Sequence, residues 1–237
     1  MAEARPVSVD KATLEAYEKA KSDGVETVFD RAARIKPCPI GAGGACCKNC
    51  GMGPCRVPAP KNREETAEEK AKRTGVCGAT AETIAARNFG RMVAAGAAAH
   101  SDHARGVALT FLEAAKGELK DFTIKDEQKL YQLAMDLDIE IEDKETQQIA
   151  IEVGEKCLAD FGKQEGEGLF IKRAPLKRQE IWRNLGIVPR GVDREIVEMM
   201  HRTHIGVDQD YENILMHAAR TSLADGWGGS MISTELQ

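Results

Sequence analysis

The fold follows from an alanine-rich run at residues 75–117, GVCGATAETIAARNFGRMVAAGAAAHSDHARGVALTFLEAAKG. Alanine has the highest intrinsic helix propensity, so this composition predicts long helices. Side chains this small also allow a helix to pack closely against a neighbouring helix or a bulky cofactor. Glycine is a poor helix former, and we expect the run to break at Gly96 and Gly106.

Further helices are predicted on both sides of this run from residues that favour helix starts. Aspartate caps the first turn, and proline is tolerated there because the first backbone N–H groups have no helical partner. The predicted helices cover residues 10–24, 126–137, 143–161, 175–185, 193–204 and 208–225. Residues 169–171 are the one strand candidate. The sequence therefore predicts an all-α fold.

Residues 36–62, KPCPIGAGGACCKNCGMGPCRVPAPKN, are rich in glycine and proline. These residues block regular structure, so the pattern predicts an irregular loop that wraps a ligand. The charged stretch REETAEEKAKR at residues 63–73 is interpreted as a solvated helix or surface insertion without a chemical role. We predict a helical segment over residues 1–35, a cluster-binding loop region over 36–78 and a helical domain over 79–237.

Composition excludes several function classes. The chain has 237 residues, of which 30% are charged and 42% hydrophobic, and no apolar run reaches the ~18 residues that a membrane helix needs. Its start, MAEARPVSVD, lacks the profile of a signal peptide, so we expect a cytoplasmic protein. A net charge of −5 and an aromatic content of 5% argue against nucleic-acid binding.

The cysteines carry the chemistry of this sequence. Five of the seven lie between Cys38 and Cys55, and clustered thiols in a reducing cytoplasm indicate metal or redox work. One set has the pattern C-x2-C-x4-C with a distant fourth member, which suits an iron–sulfur cluster; its members are Cys47, Cys50, Cys55 and Cys77. Four thiolates also suit tetrahedral zinc, so both metals remain candidates.

The remaining cysteines fall into two groups. Cys38 and Cys46 cannot complete a four-thiolate site alone, but a twofold symmetric dimer would supply two from each subunit to one shared site. The alternative is that Cys38 and Cys46 are free thiols or a redox-labile pair. Cys157 lies on the apolar face of a predicted helix and is interpreted as a core residue.

Three segments together resemble the N-terminal helical, iron–sulfur region of the catalytic subunit of anaerobic nickel–iron carbon monoxide dehydrogenases. They are CPIGAGGACCKNCGMGPCRV at residues 38–57, GVCGATAETIAARNFGRMVAAGAAAHSDHA at 75–104 and GVDREIVEMMHRTHIGVDQDYENILMHAARTSLAD at 191–225. The resemblance implies a [4Fe–4S] cluster within the subunit on Cys47, Cys50, Cys55 and Cys77. It also implies that Cys38 and Cys46 give half the ligands of a cluster shared across a homodimer, here [4Fe–4S] rather than [2Fe–2S].

The resemblance also implies a role in electron transfer. In this family the clusters pass the two electrons of CO oxidation to a ferredoxin-like acceptor, and an acetyl-CoA synthase subunit is a candidate partner. Lys48 and Arg56, beside the ligands, are expected to offset the negative charge of a thiolate cluster. The alternative reading is a zinc-stapled helical interaction protein without redox activity, and a third is a degenerate remnant that binds nothing.

Two departures from the family pattern bear on activity. The family's Ni–Fe–S active site needs several cysteines and a histidine from following α/β domains, whereas only Cys157 is left over here and the sequence stops at ISTELQ. We therefore expect the chain alone not to oxidise CO, and no catalytic residue is assigned. In addition, His100 and His103 match the first rungs of a proton-conducting histidine ladder in some relatives, but Gly106 and Leu109 follow, so no relay is expected.

Overall fold

The computed structural model describes residues 7–36, 38–58 and 64–237. Parts of the predicted loop at 36–62, Arg63 of the charged stretch and the first residues of the predicted N-terminal segment lie outside the described residues. The chain divides into two compact units, Met1–Gly43 and Gly44–Gln237.

Among its described residues, the first unit contains three short helices, α1 (Lys11–Ser22), α2 (Val28–Ala33) and α3 (Pro39–Ala42). The Asp10 side chain accepts from the Thr13 backbone N–H at 2.7 Å, which caps α1 as predicted. Tyr17 of α1 packs edge-on against Phe29 of α2, with ring centroids 5.5 Å apart. No described residue of this unit is buried, so residues 7–36 and 38–43 form no apolar core of their own.

The second unit is built around α5 (Ala81–Ala115), which starts at the cap residue Thr80 and ends at Lys116. Small residues recur every three or four positions along its buried stripe: Gly90, Ala94, Ala97, Ser101, Ala104 and Ala108. This spacing is that of one helix face, and the small side chains let other helices approach closely. The predicted breaks at Gly96 and Gly106 are wrong, because both glycines face outward and the helix runs through them.

The other helices in the described part of this unit are α4 (Ala67–Lys72), α6 (Glu127–Asp136), α7 (Thr146–Phe161), α8 (Leu176–Asn184), α9 (Val192–Arg202), α10 (Tyr211–Ala224) and α11 (Met231–Leu236). Helices α7, α9, α10 and α11 pack against α5. A π-helical stretch, Asp225–Ser230, joins α10 to α11. Each helix predicted from capping residues is present within a few residues of its expected bounds, and the mostly α-helical fold is confirmed.

Two local predictions differ from the structure. The strand candidate at residues 169–171 is a turn leading into a 3-10 helix, Ile171–Arg173, in which Phe170 and Ile171 are buried. A short apolar run therefore reflects burial here, and burial does not by itself select a strand. The loop at 36–62 is less irregular than predicted, because it contains α3 and two antiparallel two-residue strands, β1 (Cys46–Cys47) and β2 (Cys55–Arg56).

The main core of the second unit lies where α5, α6 and α7 meet. Cys157 is fully buried on α7 among Ile149, Val153 and Phe161, which confirms its interpretation as a core residue. Burial raises the pKa of the Cys157 thiol to about 12, so this thiol stays protonated. In the described part of the chain, no helix is both long enough and apolar enough to cross a bilayer.

Candidate metal centre

Four of the predicted ligands lie around one pocket of the second unit. Its walls include Cys47, Cys50, Cys55 and Cys77, together with Asn49, Ile84, Arg87 and Ile205. The cavity between these walls is small, about 10 Å³ in volume, and it is partly open to solvent. Three cysteines come from the hairpin around β1 and β2, and the fourth comes from the turn that precedes α5.

The hairpin holds its cysteines through backbone pairing. Cys47 pairs with Cys55 and Cys46 with Arg56 across the two strands. Gly53 lies inside the reversal between them, where an added Cβ would stand 3.1 Å from the Cys55 nitrogen and 3.2 Å from the Cys47 carbonyl oxygen. Only glycine fits this approach without displacing the backbone of two ligand residues, so the glycine content of the loop has a steric reason here.

The fourth cysteine lies in a tight turn before α5. The Gly75 N–H donates to the Ala79 carbonyl at 2.8 Å, and the Gly78 N–H donates back to Gly75 at 2.9 Å. Gly78 has a φ of +85°, a conformation that non-glycine residues rarely adopt. The same turn brings the Val76 N–H to 3.4 Å from the Cys55 sulfur. The turn therefore connects the two segments that supply the thiols.

Helix α5 anchors both segments. The Asn88 side chain donates to the carbonyls of Gly44 and Cys46 at 3.0 and 2.9 Å, which fixes β1 to the helix. The loop between α9 and α10 closes the other side, because Gln209 donates to the Cys77 carbonyl at 2.8 Å. The Thr83 hydroxyl in turn donates to the Gln209 carbonyl at 2.7 Å. Segments from three parts of the chain therefore position Cys77.

Arg87 supplies a buried positive charge at the pocket. Only 1% of the residue is exposed, its Nη1 donates to the Cys77 sulfur at 3.5 Å, and its Nη2 donates to the Asp208 carbonyl. Burial acts to raise the pKa of the Cys77 thiol, but hydrogen bonds from Arg87, the Ala79 backbone and Gln209, with the Arg87 charge, outweigh it and lower that pKa. This environment favours the thiolate, which is the form that binds metal.

Two donors at the pocket have no partner in the part of the chain that the structure describes. Among the described residues, the Nε of Arg87 and the Nδ2 of Asn49 are buried without a hydrogen-bond acceptor. Arg87 also forms no ion pair with a described carboxylate. A buried donor left unpaired costs about 1–3 kcal/mol. Thiolates and inorganic sulfides would supply both acceptors and negative charge, so the residues present fit an iron–sulfur cluster.

The spacing of the sulfurs bears on which metal fits. Zinc holds each thiolate at about 2.3 Å in a tetrahedron, which places the sulfurs about 3.8 Å apart. In the described part of the chain, no three cysteine sulfurs all lie within 4.8 Å of one another. An iron–sulfur cluster binds each thiolate to a different iron, so its ligands stand farther apart. In the described residues the sulfurs are therefore not gathered into a tetrahedral zinc site.

Cys46 and Cys38 have different surroundings. Successive side chains of a strand point to opposite faces, and Cys47 is on the pocket side of β1. Cys46 is partly exposed and does not line the pocket. Cys38 is exposed at the N-cap of α3 in the first unit, where its carbonyl accepts from the Ala42 N–H at 2.8 Å.

The sequence prediction missed Arg87 and Asn49. Lys48 and Arg56, the cations expected to offset the ligand charge, are both exposed, whereas Arg87 is buried against the pocket. One signal was available, because Arg87 falls on the same small-residue stripe of α5 as Thr83, Gly90 and Ala94. A charged residue on a stripe of small, buried side chains needs a partner, and here that partner is the cysteine-lined pocket.

A second cluster of potential ligands lies between α9 and α10. Oxygens of Glu195 and Glu198 and a nitrogen of His217 lie within 4.8 Å of one another. Both carboxylates are already paired with guanidinium groups, including those of Arg190 and Arg202, so the local charge opposes a cation. His217 is buried, and its Nδ1 accepts from Arg202 at 2.9 Å. The Nε2 of His217 lies 3.3 Å from a Glu195 oxygen but forms no hydrogen bond with the described residues, so this core histidine is hydrogen-bonded through one nitrogen only.

The histidines of α5 are both exposed. His100 lies 2.8 Å from Asp225 through its Nδ1, and His103 follows one turn later. The expectation that they form no proton relay stays a prediction.

Four thiols around one pocket of a mostly α-helical chain are typical of an iron–sulfur or zinc protein. The model of the Prismane/CO dehydrogenase family matches residues 45–237, and the chain belongs to this family. It is 52% identical over 232 residues to carbon monoxide dehydrogenase 1 of Methanosarcina acetivorans, covering 97% of this chain and 36% of that protein. It is 40% identical over 238 residues to the carbon monoxide dehydrogenase/acetyl-CoA synthase subunit beta of Moorella thermoacetica, covering 98% and 34%.

Solved structures show the same relation. The Ni-free crystal structure of carbon monoxide dehydrogenase from Thermococcus sp. AM4 superposes with a TM-score of 0.81 at 45% identity. The match covers the whole of this chain and 37% of that chain. The chain thus spans about a third of the length of the relatives it matches.

Proposed function

We propose that this chain is the iron–sulfur electron-relay and dimerisation region of an anaerobic nickel–iron carbon monoxide dehydrogenase. The observation that carries the proposal is the pocket lined by Cys47, Cys50, Cys55 and Cys77, with the buried guanidinium of Arg87 beside it. The four thiolates would hold a [4Fe–4S] cluster, which when bound accepts and passes on one electron at a time.

The chain's own residues prepare the pocket for this role. The four cysteine thiolates would bind the irons of the cluster. Arg87 holds Cys77 in place and provides positive charge. Ile84, Ala79 and Val57 form a small buried apolar cluster next to Cys47 and limit the access of water. A buried, partly apolar surrounding makes electrostatic interactions stronger than they are at the surface.

We propose that Cys38 and Cys46 supply two of the four ligands of a second cluster, shared with an identical subunit. The different placement of Cys46 and Cys47 on β1 supports this division of ligands between two sites. Helix α5 also exposes Phe89 and Met92, which are 53% and 73% accessible and lie three residues apart on one face. Large apolar side chains grouped on a helix face are typical of an interface.

The whole-enzyme reaction that we propose is CO + H2O → CO2 + 2 H+ + 2 e−, with the electrons leaving through the clusters to a ferredoxin-like acceptor. We expect this chain alone not to catalyse it, because Cys157 is the only cysteine not assigned to a cluster and its thiol is fully buried in the core. A Ni–Fe–S active-site cluster therefore lacks ligands here.

The printed name of the Moorella relative joins carbon monoxide dehydrogenase to acetyl-CoA synthase, which supports an acetyl-CoA synthase subunit as a candidate partner. Clustered metal-binding thiolates favour a reducing compartment, and we propose the cytoplasm.

The decisive experiment is iron and sulfide analysis of the chain reconstituted without oxygen. One internal four-iron cluster and half of a shared one predict about six irons per chain. Cys77→Ala is expected to lower this value to about two, and Cys46→Ala to about four. Cys157→Ala is the matched control, since it removes a thiol from the core and is expected to leave the iron content unchanged.

The alternative function, a zinc-stapled interaction protein, gives a different result in the same experiment. A colourless chain with stoichiometric zinc and no sulfide would exclude the relay. A chain that binds neither iron nor zinc, with a thermal stability unchanged by Cys47→Ala, would identify a remnant without a metal site.

Dimerisation has a separate test. Sedimentation of the reconstituted chain is expected to give a dimer, and Met92→Glu is expected to weaken it by placing a charge in the interface. Met135→Glu, an equally simple change at an exposed methionine of α6, is the control and should leave the dimer intact. A monomer for the unaltered, iron-loaded chain would contradict this part of the proposal.

A further inference from the structure

Arg87 is buried far more completely than its hydrogen bonding explains. The residue is 1% exposed and has no carboxylate partner among the described residues, and its Nε has no acceptor there. An unpaired buried charge is strongly unfavourable, so a folded chain keeps one only where something compensates it. The thiols of the pocket are the groups placed to do so, since Nη1 already lies 3.5 Å from the Cys77 sulfur.

We propose that Arg87 is the counter-charge of the cluster and that it sets the cluster's reduction potential through Cys77. Reduction adds one electron and therefore one negative charge to the site. A fixed guanidinium beside a ligand sulfur stabilises the reduced state more than the oxidised state, which raises the potential. This inference rests on the proposed cluster-binding function.

The surrounding structure holds the Arg87 side chain in one place. Its Nη2 donates to the Asp208 carbonyl, and the Asp208 carboxylate accepts from Arg202 at 2.7 Å. The loop between α9 and α10 thus fixes the guanidinium, and the same loop holds Cys77 through Gln209. Asn49, whose Nδ2 is also buried without an acceptor, is a second donor at the pocket.

The test is a redox titration of the reconstituted full chain with dithionite as the reductant. The reduced internal cluster is measured by the electron paramagnetic resonance signal that appears when it accepts one electron. Arg87→Gln removes the charge and keeps a donor, and Arg87→Lys keeps the charge. Arg87→Gln is expected to lower the equilibrium constant for reduction at least about tenfold, which is a shift of 59 mV to more negative potential for a one-electron couple. Arg87→Lys is expected to stay closer to the unaltered chain.

Arg91→Gln is the matched control. Arg91 lies one turn further along α5, also has a buried Nε without an acceptor among the described residues, and does not line the pocket. Arg91→Gln tests whether the loss of any positive charge from α5 changes the reduction potential of the cluster. We expect the potential to stay within error of that of the unaltered chain.

Each outcome decides the proposal. An unchanged potential in Arg87→Gln, or an equal shift in Arg91→Gln, would overturn it while leaving cluster binding intact. If Arg87→Gln folds but loses iron, Arg87→Lys decides: retained iron at a near-native potential supports the counter-charge, and lost iron overturns it. A failure of the unaltered chain to take up iron would instead refute the proposed function, and this inference with it.

Discussion

Gly191 and Gly106 are expected to respond in opposite directions to the same substitution by alanine. Gly191 caps the start of α9, with an ordinary φ of −69°. A Cβ added there would stand 2.4 Å from the Asp160 carbonyl oxygen, 2.5 Å from that of Phe161 and 2.6 Å from the Lys163 nitrogen. The position is therefore restricted by contact with the backbone at the end of α7.

The magnitude follows from the kind of atom that would be displaced. Overpacking that forces shifts of side chains and backbone costs about 1–3 kcal/mol, and occasionally more. Because the three obstacles are backbone atoms, we expect Gly191→Ala to lower the free energy of unfolding by at least about 3 kcal/mol. For a chain of this length, each kcal/mol corresponds to about 2–4 °C in Tm, so the expected loss in Tm is at least about 6 °C.

Gly106→Ala is the matched control. Gly106 lies in the interior of α5 with a helical conformation, and an added Cβ meets nothing within 4 Å. Alanine removes the entropic penalty of glycine in a helix, and we expect a gain of about 0.5–1 kcal/mol. Urea unfolding followed by far-ultraviolet circular dichroism measures both variants. A loss below about 1 kcal/mol in Gly191→Ala, or destabilisation by both variants, would refute the reasoning.

Three further outcomes are expected from buried or paired ionisable groups. Glu195→Gln should destabilise the chain by about 3–5 kcal/mol in urea unfolding, because it removes the fully buried carboxylate that the guanidinium groups of Arg190 and Arg220 approach to 2.8 and 3.2 Å; a loss under about 1 kcal/mol would contradict this. The hydrogen bond from Lys70, 2.8 Å away, lowers the pKa of Glu82 to about 2, so the ionised pair adds stability above the unfolded pKa of 4.5 that is lost as the pH falls through about 2. The pair is largely exposed, and Glu82→Gln should therefore cost under about 1 kcal/mol at pH 7 and nothing at the lowest pH. Cys157, with a pKa of about 12, should stay unlabelled by iodoacetamide at pH 8 in the folded chain and react after unfolding; labelling of its peptide in the native state would show that the core is open.

The helices were predictable because their signals are local. Asp10 and Asp126 accept hydrogen bonds from the backbone three residues later, and such caps can be identified in the sequence without knowing the fold. The predicted breaks at Gly96 and Gly106 were wrong because contacts distant in sequence stabilise the helix there. A glycine weakens a helix by about 1 kcal/mol, and the packing of α5 against its neighbours outweighs this locally unfavourable contribution. The strand prediction at residues 169–171 was wrong for a similar reason, since the burial of Phe170 depends on elements distant in sequence.

The pattern of cysteines, by itself, determined which four thiols to expect at one site, because a ligand spacing is a property of the chain alone. Only the tertiary structure decided what surrounds them. The contact of Arg87 with Cys77 spans 10 residues, but its fixation by Asp208 spans 121, and no local pattern encodes a pairing over that distance. The separate surroundings of Cys46 and Cys47 likewise follow from the strand pairing, which sends adjacent side chains to opposite faces. The identity of the ligands is thus predictable from the sequence, whereas their electrostatic environment depends on how the chain packs.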